Sequence, residues 1–490
     1  MPTATADVQN PPVPAARLRH SGGALAHSVS AATWRRAFEM RPADATVAAS
    51  IRVGIAAALV FVGCGLLDLR QYAGFAVLGA LASAFARHEP MVRVTAKVTL
   101  VGALVVAFVA GGGLLALAHP PMWAEVALMS VGAALAAAAV SAFRITGPGP
   151  VILVFAATAA VGYVTAPGDL ARACLAAAAG AAVALLAQAA HLLVLPLGPA
   201  RLAVARALSA VAGLERGASV EPARAAIAHA REKLALSGVR GDTSRHHRDL
   251  VALLDDAESA VDDWQAGDPG LLRDVVRHEA ELRKVKRRST IFDGDAEIEV
   301  SALPRPEGFV EIGLSGLRSR MVLGNAARIA LASAFAGWFA AAVGLDHPLW
   351  ASMGAMAAMQ GVSYAMTVQR AIQRLLGNVG GALVAAMLIA ASLGYWQTVI
   401  VIVVLQVTAE LTAARNYALT SLSVTPMALL MVGLGTNLAP DIGVSRVVDT
   451  LIGVAVGVTV AAVTISRSDR QHLPASAAAD AGEDVKIGRT

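Results

Sequence analysis

The sequence predicts an all-α integral membrane protein: two six-helix transmembrane halves, about 12 helices in all, around a cytoplasmic helical-bundle insert. Three observations carry this. The 490 residues are 56% hydrophobic and only 15% charged, with a mean hydropathy of +0.61, whereas a soluble domain carries roughly a quarter of its residues as charges. The deficit is uneven: residues 197–324 hold 19 of the 40 basic and 20 of the 35 acidic residues, while 50–196 and 325–465 are almost free of charge. Finally, marker residues recur between the charge-poor blocks at a nearly constant offset.

A helix needs about 20 apolar residues to cross the hydrocarbon core. After residues 1–47, an Ala-, Pro- and Arg-rich stretch read as a disordered tail with a short helix over 34–40, the first half (48–196) offers six spans: 51–67, 72–86, 98–118, 123–143, 149–166 and 171–195. The insert (197–324) reads as helices over 201–214, 222–236, 245–264 and 271–288, from apolar residues three and four apart. Leu250, Leu253, Leu254 and Val261 form one stripe, Asp268–Pro269 starts the fourth helix, Gly238 stops the second, and 291–317 is an irregular connector. The second half (325–466) gives 326–344, 349–366, 375–393, 396–411, 417–437 and 447–465, followed by a disordered tail, 467–490.

Orientation follows from arginine and lysine. With the N-terminus inside, the inner loops hold Arg87, Arg93, Lys97, Arg144, Arg201, Arg206, Arg318, Arg320, Arg328, Arg370, Arg374, Arg415, Arg467 and Arg470; the outer loops hold Arg70, Arg172 and Arg446, each near an aspartate. Cytoplasmic residues are enriched in such cations, which places both termini and the insert in the cytoplasm of a cell inner-membrane protein. The halves correspond through Arg52 and Arg328, Asp68 and Asp346, Tyr72 and Trp350, Arg93/Lys97 and Arg370/Arg374, Trp123 and Trp396, Arg144 and Arg415, and Arg172 and Arg446, all offset by 271–278 residues. Six helices per half give parallel repeats about an axis along the membrane normal, with a translocation path between them.

Charge within hydrocarbon costs from about 2.5 to over 10 kcal/mol, so each intramembrane ionisable group needs a reason. Arg446 and Asp449 stand one turn apart at the start of the last span, either as a gating or substrate-binding pair or as an interfacial anchor. Glu410, five residues before Arg415, is the candidate proton carrier or a surface salt bridge with that arginine. Arg370 and Arg374, with Arg93 and Lys97, form a basic cluster at the inner mouth that would attract anions or contact lipid headgroups. Gln188, His191, Gln360 and Gln406 read as interhelical hydrogen-bonding groups, and Trp123, Tyr395 and Trp396 as an aromatic belt.

Cys64 and Cys174 are packing residues rather than a disulfide. His246–His247 lacks a metal-ligand partner set, no nucleotide-cradling Gly-Lys-Ser/Thr loop exists, and the one basic run, 283–288, follows an acidic helix, so nucleic acid is an unsuited partner. No enzyme constellation, cofactor or metal is implied. Neither a homo-oligomer nor a periplasmic adaptor is specified by any residue pattern.

Three motifs go further. Arg374-Leu375-Leu376-Gly377-Asn378-Val379-Gly380-Gly381 resembles the Arg-x-x-Gly-Thr-x-x-Gly segment of the fusaric acid resistance protein-like family, whose relatives are the aromatic acid exporters and, more remotely, the plant aluminium-activated malate transporters. Arg415-Asn416-Tyr417-Ala418 with Thr425-Pro426 resembles its Arg-Asn-Tyr-Ala…Thr-Pro signature, and Arg446-Val447-Val448-Asp449-Thr450-Leu451-Ile452-Gly453 its Arg-x-x-Asp-Thr-x-x-Gly segment; Gly147-Pro148-Gly149-Pro150 fits in the first half. Asn378 stands where threonine is usual, and Leu175 where an Asp449 counterpart would fall, so the halves differ in function. The resemblance implies efflux of small, often aromatic, carboxylates in exchange for protons, with Arg446, Asp449, Arg374, Arg415, Asn416 and Tyr417 along the path. A passive organic-anion channel and a non-transporting membrane scaffold are the alternatives.

Overall fold

The computed structural model describes residues 13–237, 245–268, 278–279, 282, 301–361, 363–434 and 442–465; within the helices, nothing is said of the side chains of 13–20, 191, 193, 194 and 442. Every regular element among them is helical. The described residues begin with α1 (Val13–Ser28) and α2 (Ala31–Ala37), where the sequence pointed to a disordered tail; the short helix expected over 34–40 starts three residues earlier, because Ser30 caps it by accepting from the Thr33 N–H.

The first apolar block supplies α3 (Thr46–Leu66), α4 (Ala73–Ala80), α5 (Met91–Ala118), α6 (Met122–Ala142), α7 (Val151–Tyr163) and α8 (Pro167–Val194). The insert supplies α9 (Gly198–Ala212), α10 (Val220–Leu236) and α11 (Arg245–Ala266). The second apolar block follows α12 (Phe309–Leu317), which lies where an irregular connector was expected; it comprises α13 (Arg320–Ala342), α14 (Pro348–Ala358), α15 (Tyr364–Ala390), α16 (Tyr395–Thr412), α17 (Tyr417–Gly433) and α18 (Ile442–Val463). The expected insert helix over 271–288 with its Pro269, the basic run, Gly238 and the tail 467–490 lie for the most part or wholly outside the described residues, as does the side chain of His191.

Among the described residues, eight helices are long and apolar enough to cross a membrane: α3, α5, α6, α8, α13, α15, α16 and α18. Four of the twelve expected spans are shorter. At 1.5 Å rise per residue, the 11 residues of α14 and the 8 of α4, which continues as a short 3₁₀ turn over Leu81–Ala84, reach only about half a bilayer core. The apolar run misled here because 72–86 and 349–366 contain non-helical backbone at 85–86, which is buried, and at 359–361, which is buried at Met359 and partly buried beyond it, the setting in which irregular backbone is tolerated at membrane depth.

Helix starts also moved. α15 begins 11 residues before its expected start and α5 seven before, because both extend past the apolar stretch as amphipathic turns; α18 begins five earlier. Arg370, Arg374, Arg93, Lys97 and Arg446 therefore sit within helices, not in loops.

Packing follows small residues. α4 lies on α8 and α14 on α18. In the first crossing Gly180 meets the Ala76 carbonyl and the Ala80 N–H; in the second, Gly453 meets the Ala351 carbonyl and the Ala355 N–H, so close that a Cβ at either glycine would overlap backbone. α5 packs on α7 and α8, and α15 on α17 and α18. Two further contacts join the blocks crosswise: α3 to α16, where the Tyr395 hydroxyl donates to the Phe61 carbonyl at 2.7 Å, and α13 to α6, where the Trp338 indole donates to the Trp123 carbonyl at 3.0 Å. Of the aromatic belt, Trp123 and Trp396 are exposed, and Tyr395 is spent on this junction. Arg172, which the sequence pairs with Arg446, is exposed and donates to the Tyr72 hydroxyl, whereas Arg446 is buried.

The insert has its own core, in which Leu250, Leu253, Leu254 and Val261 are all buried as their spacing predicts. It is fastened to the membrane block by a buried charge cluster. Lys97 donates to Glu89 at 2.8 Å and to the Arg144 carbonyl at 3.0 Å, Lys233 of α10 pairs with the other Glu89 oxygen, and Arg93 donates to the Glu307 carbonyl at 2.6 Å and meets Glu232 at 3.5 Å. Burial pushes the Glu89 carboxyl up, but Lys233 and Lys97 outweigh it and hold it below its usual range; the same burial pulls Lys233 below the usual lysine value despite Glu89. Arg93 and Lys97 thus bind the insert and line none of the three cavities around α16's end described below, which corrects their assignment to the inner mouth.

Candidate functional site

Between the two apolar blocks lies a cavity of about 390 Å³, within the usual range for small-molecule sites. Its walls come from the 3₁₀ turn after α4, the Thr146–Pro148 segment, α7, and α14 to α18. Leu78, Leu81, Ile152, Phe155, Met353, Met427 and Met431 form an apolar surface, while Arg87, Arg370, Arg374 and Arg446 share the lining with one carboxylate, Glu410.

The motif glycines explain how α15 brings its arginines there. A Cβ at Gly377 would lie 2.5 Å from the Ala418 carbonyl oxygen, and one at Gly381 2.7 Å from the Thr425 Cβ, so α15 and α17 meet backbone to backbone. Arg374 then reaches the Tyr417 hydroxyl at 3.2 Å, and the Arg370 guanidinium lies 3.9 Å above the Tyr417 ring while donating to the Ala357 carbonyl and Gln360 Oε1, each at 3.2 Å. Pro426 inside α17 leaves the Leu422 carbonyl without its helical donor, beside the Gly381 contact.

Asn378, which stands where the resembled motif has threonine, ties three helices. It donates to Thr450 Oγ1 of α18 at 2.7 Å and accepts from Thr425 and, at 3.4 Å, from Ser421, both on α17. The sequence flagged it only as a departure; an amide directly after the motif's Gly377, within an apolar run, was the available signal.

Arg446 is 6% exposed and stacks over the Trp350 ring at 4.6 Å. Its Nε and that of Arg374 are buried without hydrogen-bond partners, as are both carboxylate oxygens of Asp449, which is 1% exposed. Asp449 stands behind Arg446 and is not among the lining residues. Arg446 and Asp449 thus do not satisfy each other through a hydrogen bond, as a self-contained interfacial anchor would.

Glu410 does not pair with Arg415. It binds Arg87, from the loop after the α4 turn, and accepts from Gln406 at 3.2 Å. Arg415 faces a smaller cavity of about 110 Å³ with Arg41, Gln369 and Asn416. Asn416 is buried and its side chain is spent on structure: Oδ1 caps α17 by accepting from the Ala418 N–H at 2.8 Å, and Nδ2 donates to the Ala37 and Glu39 carbonyls. With Gln373 donating to the Ala37 carbonyl and Gln369 to the Arg36 carbonyl, these bonds hold the segment after α2 as a strap across the insert-side ends of α15 and α17. Of the sequence-derived candidates, the central cavity gathers Arg446, Arg374, Arg370, Tyr417 and Glu410; Arg415 and Asn416 lie beside it, and Asp449, Arg93 and Lys97 away from its surface. Among the described residues, no group of three or more His, Cys, Asp or Glu side chains could hold a metal ion.

No curated protein and no solved structure matches the chain. Residues 333–460, which hold all three motifs and every second-block helix that lines the cavity, match the family model described as fusaric acid resistance protein-like, and this match joins the eight long apolar helices in making the chain a multi-pass membrane protein.

Proposed function

We propose that the protein is a secondary transporter that exports small organic acids, aromatic ones included, from the cytoplasm through the central cavity. One observation carries this: four guanidinium groups and one carboxylate line a largely apolar space, and three of the four, those of Arg87, Arg374 and Arg446, have unpartnered buried Nε atoms. Buried positive charge without a counter-ion is costly, and an anionic cargo would supply one. The apolar wall would hold the cargo's body while the arginines take its carboxylate. Two six-helix halves related by parallel duplication would account for the paired crossings of α4 on α8 and α14 on α18, and the interrupted helices at 85–86 and 359–361 are the kind of discontinuity that marks transporter sites. In this reading the insert and both termini are cytoplasmic, and the Glu410 carboxylate exchanges a proton during the cycle.

Purified protein in liposomes with an imposed pH gradient, loaded with benzoate, tests the reading. Accumulation against the benzoate gradient in the wild type and its loss in Arg446→Ala, with both proteins equally reconstituted, is expected. Non-saturating leak in the wild type would point to a channel, and equal uptake by Arg446→Ala would remove the central cavity from the path.

A further inference from the structure

The central cavity is not the end of the cationic surface. A second recess, about 550 Å³, opens on the insert side and is lined by Asp44, Arg87, His88 and Arg206, with Ala43 and Ala414. Arg87 and Ala414 line both spaces. Arg87 therefore stands in the wall between them, and its partner Glu410 faces the inner one.

The loop that presents Arg87 is held in an unfavourable shape. Ala86 and His88, on either side of it, both have left-handed backbone (φ +58° and +57°), which costs on the order of 1 kcal/mol for each non-glycine residue. A 3.0 Å bond from the Ala86 N–H to the Thr146 carbonyl keeps it so. Strained backbone persists where the surroundings over-determine it, and it clusters at functional sites.

The recess is electropositive. Arg206 spends its fork on Asp44, with contacts of 2.8 and 3.2 Å, but the Nε atoms of Arg87 and of neighbouring Arg52 are buried without partners. His88 reports the local field: burial and then Arg206, Arg52 and Arg87 push its pKa down to about 4, with only Asp44 opposing them. It therefore adds no charge of its own near neutral pH.

We propose that this recess is a second anion-binding site, a loading vestibule for carboxylates, and that Arg87 passes the anion to the central cavity by exchanging Glu410 for the cargo's carboxylate. The inference rests on the transport reading for the word loading, but not for the binding itself.

The test uses the full chain with Cys64→Ala and Cys174→Ala, and a reporter thiol from Ala43→Cys in the recess wall. Modification by a negatively charged methanethiosulfonate is timed with and without benzoate, and a neutral methanethiosulfonate serves as the control for folding. Benzoate should slow the anionic reagent, and Arg87→Gln with Arg206→Gln/Asp44→Asn should slow its unprotected rate on the order of tenfold and abolish the benzoate effect, leaving the neutral reagent's rate unchanged. Protection should survive Arg374→Ala/Arg446→Ala, which destroys the central site; this separates failure of the vestibule from failure of the transport reading. Absence of benzoate protection in the parent, or protection that persists without Arg87 and Arg206, would overturn the proposal. For the exchange step, a thiol from Ala428→Cys in the central cavity should be modified faster in Glu410→Gln than in the parent; an unchanged rate would refute it.

Discussion

Two helices of this protein carry a pair of cations four residues apart, and the pairs have opposite fates. On α15, Arg370 and Arg374 turn to a shared cavity, where Tyr417 takes a ring contact from one and a hydrogen bond from the other. On α5, Arg93 and Lys97 are as buried as Arg374, but they are matched by Glu89, Glu232 and the Glu307 and Arg144 carbonyls. Similar spacing and similar burial therefore say little about role. What separates a site from a joint is whether the polar atoms are satisfied: the Lys97 ammonium has two acceptors, whereas the Arg374 Nε has none. A satisfied buried network rigidifies, whereas an unsatisfied buried group calls for a partner, which in the transport reading is the cargo.

The sharpest way to break this contrast is to truncate both pairs. Arg374→Ala should cut benzoate flux on the order of a hundredfold, the usual scale for losing a buried charged contact, while Arg93→Ala should leave flux per folded molecule near wild type. Equal losses in both would erase the distinction. Next in size, Glu89→Gln should cost about 3–5 kcal/mol by leaving Lys97 and Lys233 buried without their counter-ion. The expected readout is a lowered unfolding temperature and faster proteolytic release of the insert; an unshifted melting curve would show that the cluster does not join insert to membrane block.

A smaller effect follows from the helix crossing. Gly377→Ala places a methyl 2.5 Å from the Ala418 carbonyl oxygen, which should destabilise by about 1–3 kcal/mol through overpacking and displace Arg374 from Tyr417. Thermal unfolding and flux should fall together; a stable protein with intact flux would mean that α15 and α17 can separate freely.

A graded effect, reached in full only in acid, concerns His88. His88 binds its proton with a pKa of about 4 when folded and near its ordinary 6.5 when unfolded. Between those values the unfolded state holds more protons, so stability falls as pH drops from 6.5 towards 4, by on the order of 3 kcal/mol at most. Glu89, held below its usual range, adds a further loss once pH passes below the ordinary carboxylate value. His88→Asn should flatten the upper part of this profile; an identical slope in the variant would show that the recess does not hold the imidazole neutral.

By itself the sequence determined the helical class, the apolar blocks, the insert with its Leu250–Val261 stripe, and the family motifs, because hydrocarbon admits few charges and amphipathic periodicity is written along the chain. It also drew attention to Arg370, Arg374, Glu410, Tyr417 and Arg446, which meet in the cavity, but read Arg87 only as a loop cation that sets orientation. Tertiary structure alone decided their partners. Arg87, far from Glu410 in the chain, outcompetes the nearby Arg415 for it, because the loop after α4 folds against the end of α16. The insert meets Arg93 through Glu232 and Glu307 from more than a hundred residues away and shares Glu89 with Lys97 through Lys233, and Asn416 serves a strap that no periodicity announced. An ionised side chain's role depends on which opposite charge or dipole lies within a few ångströms, and that distance is set by packing between helices remote in sequence.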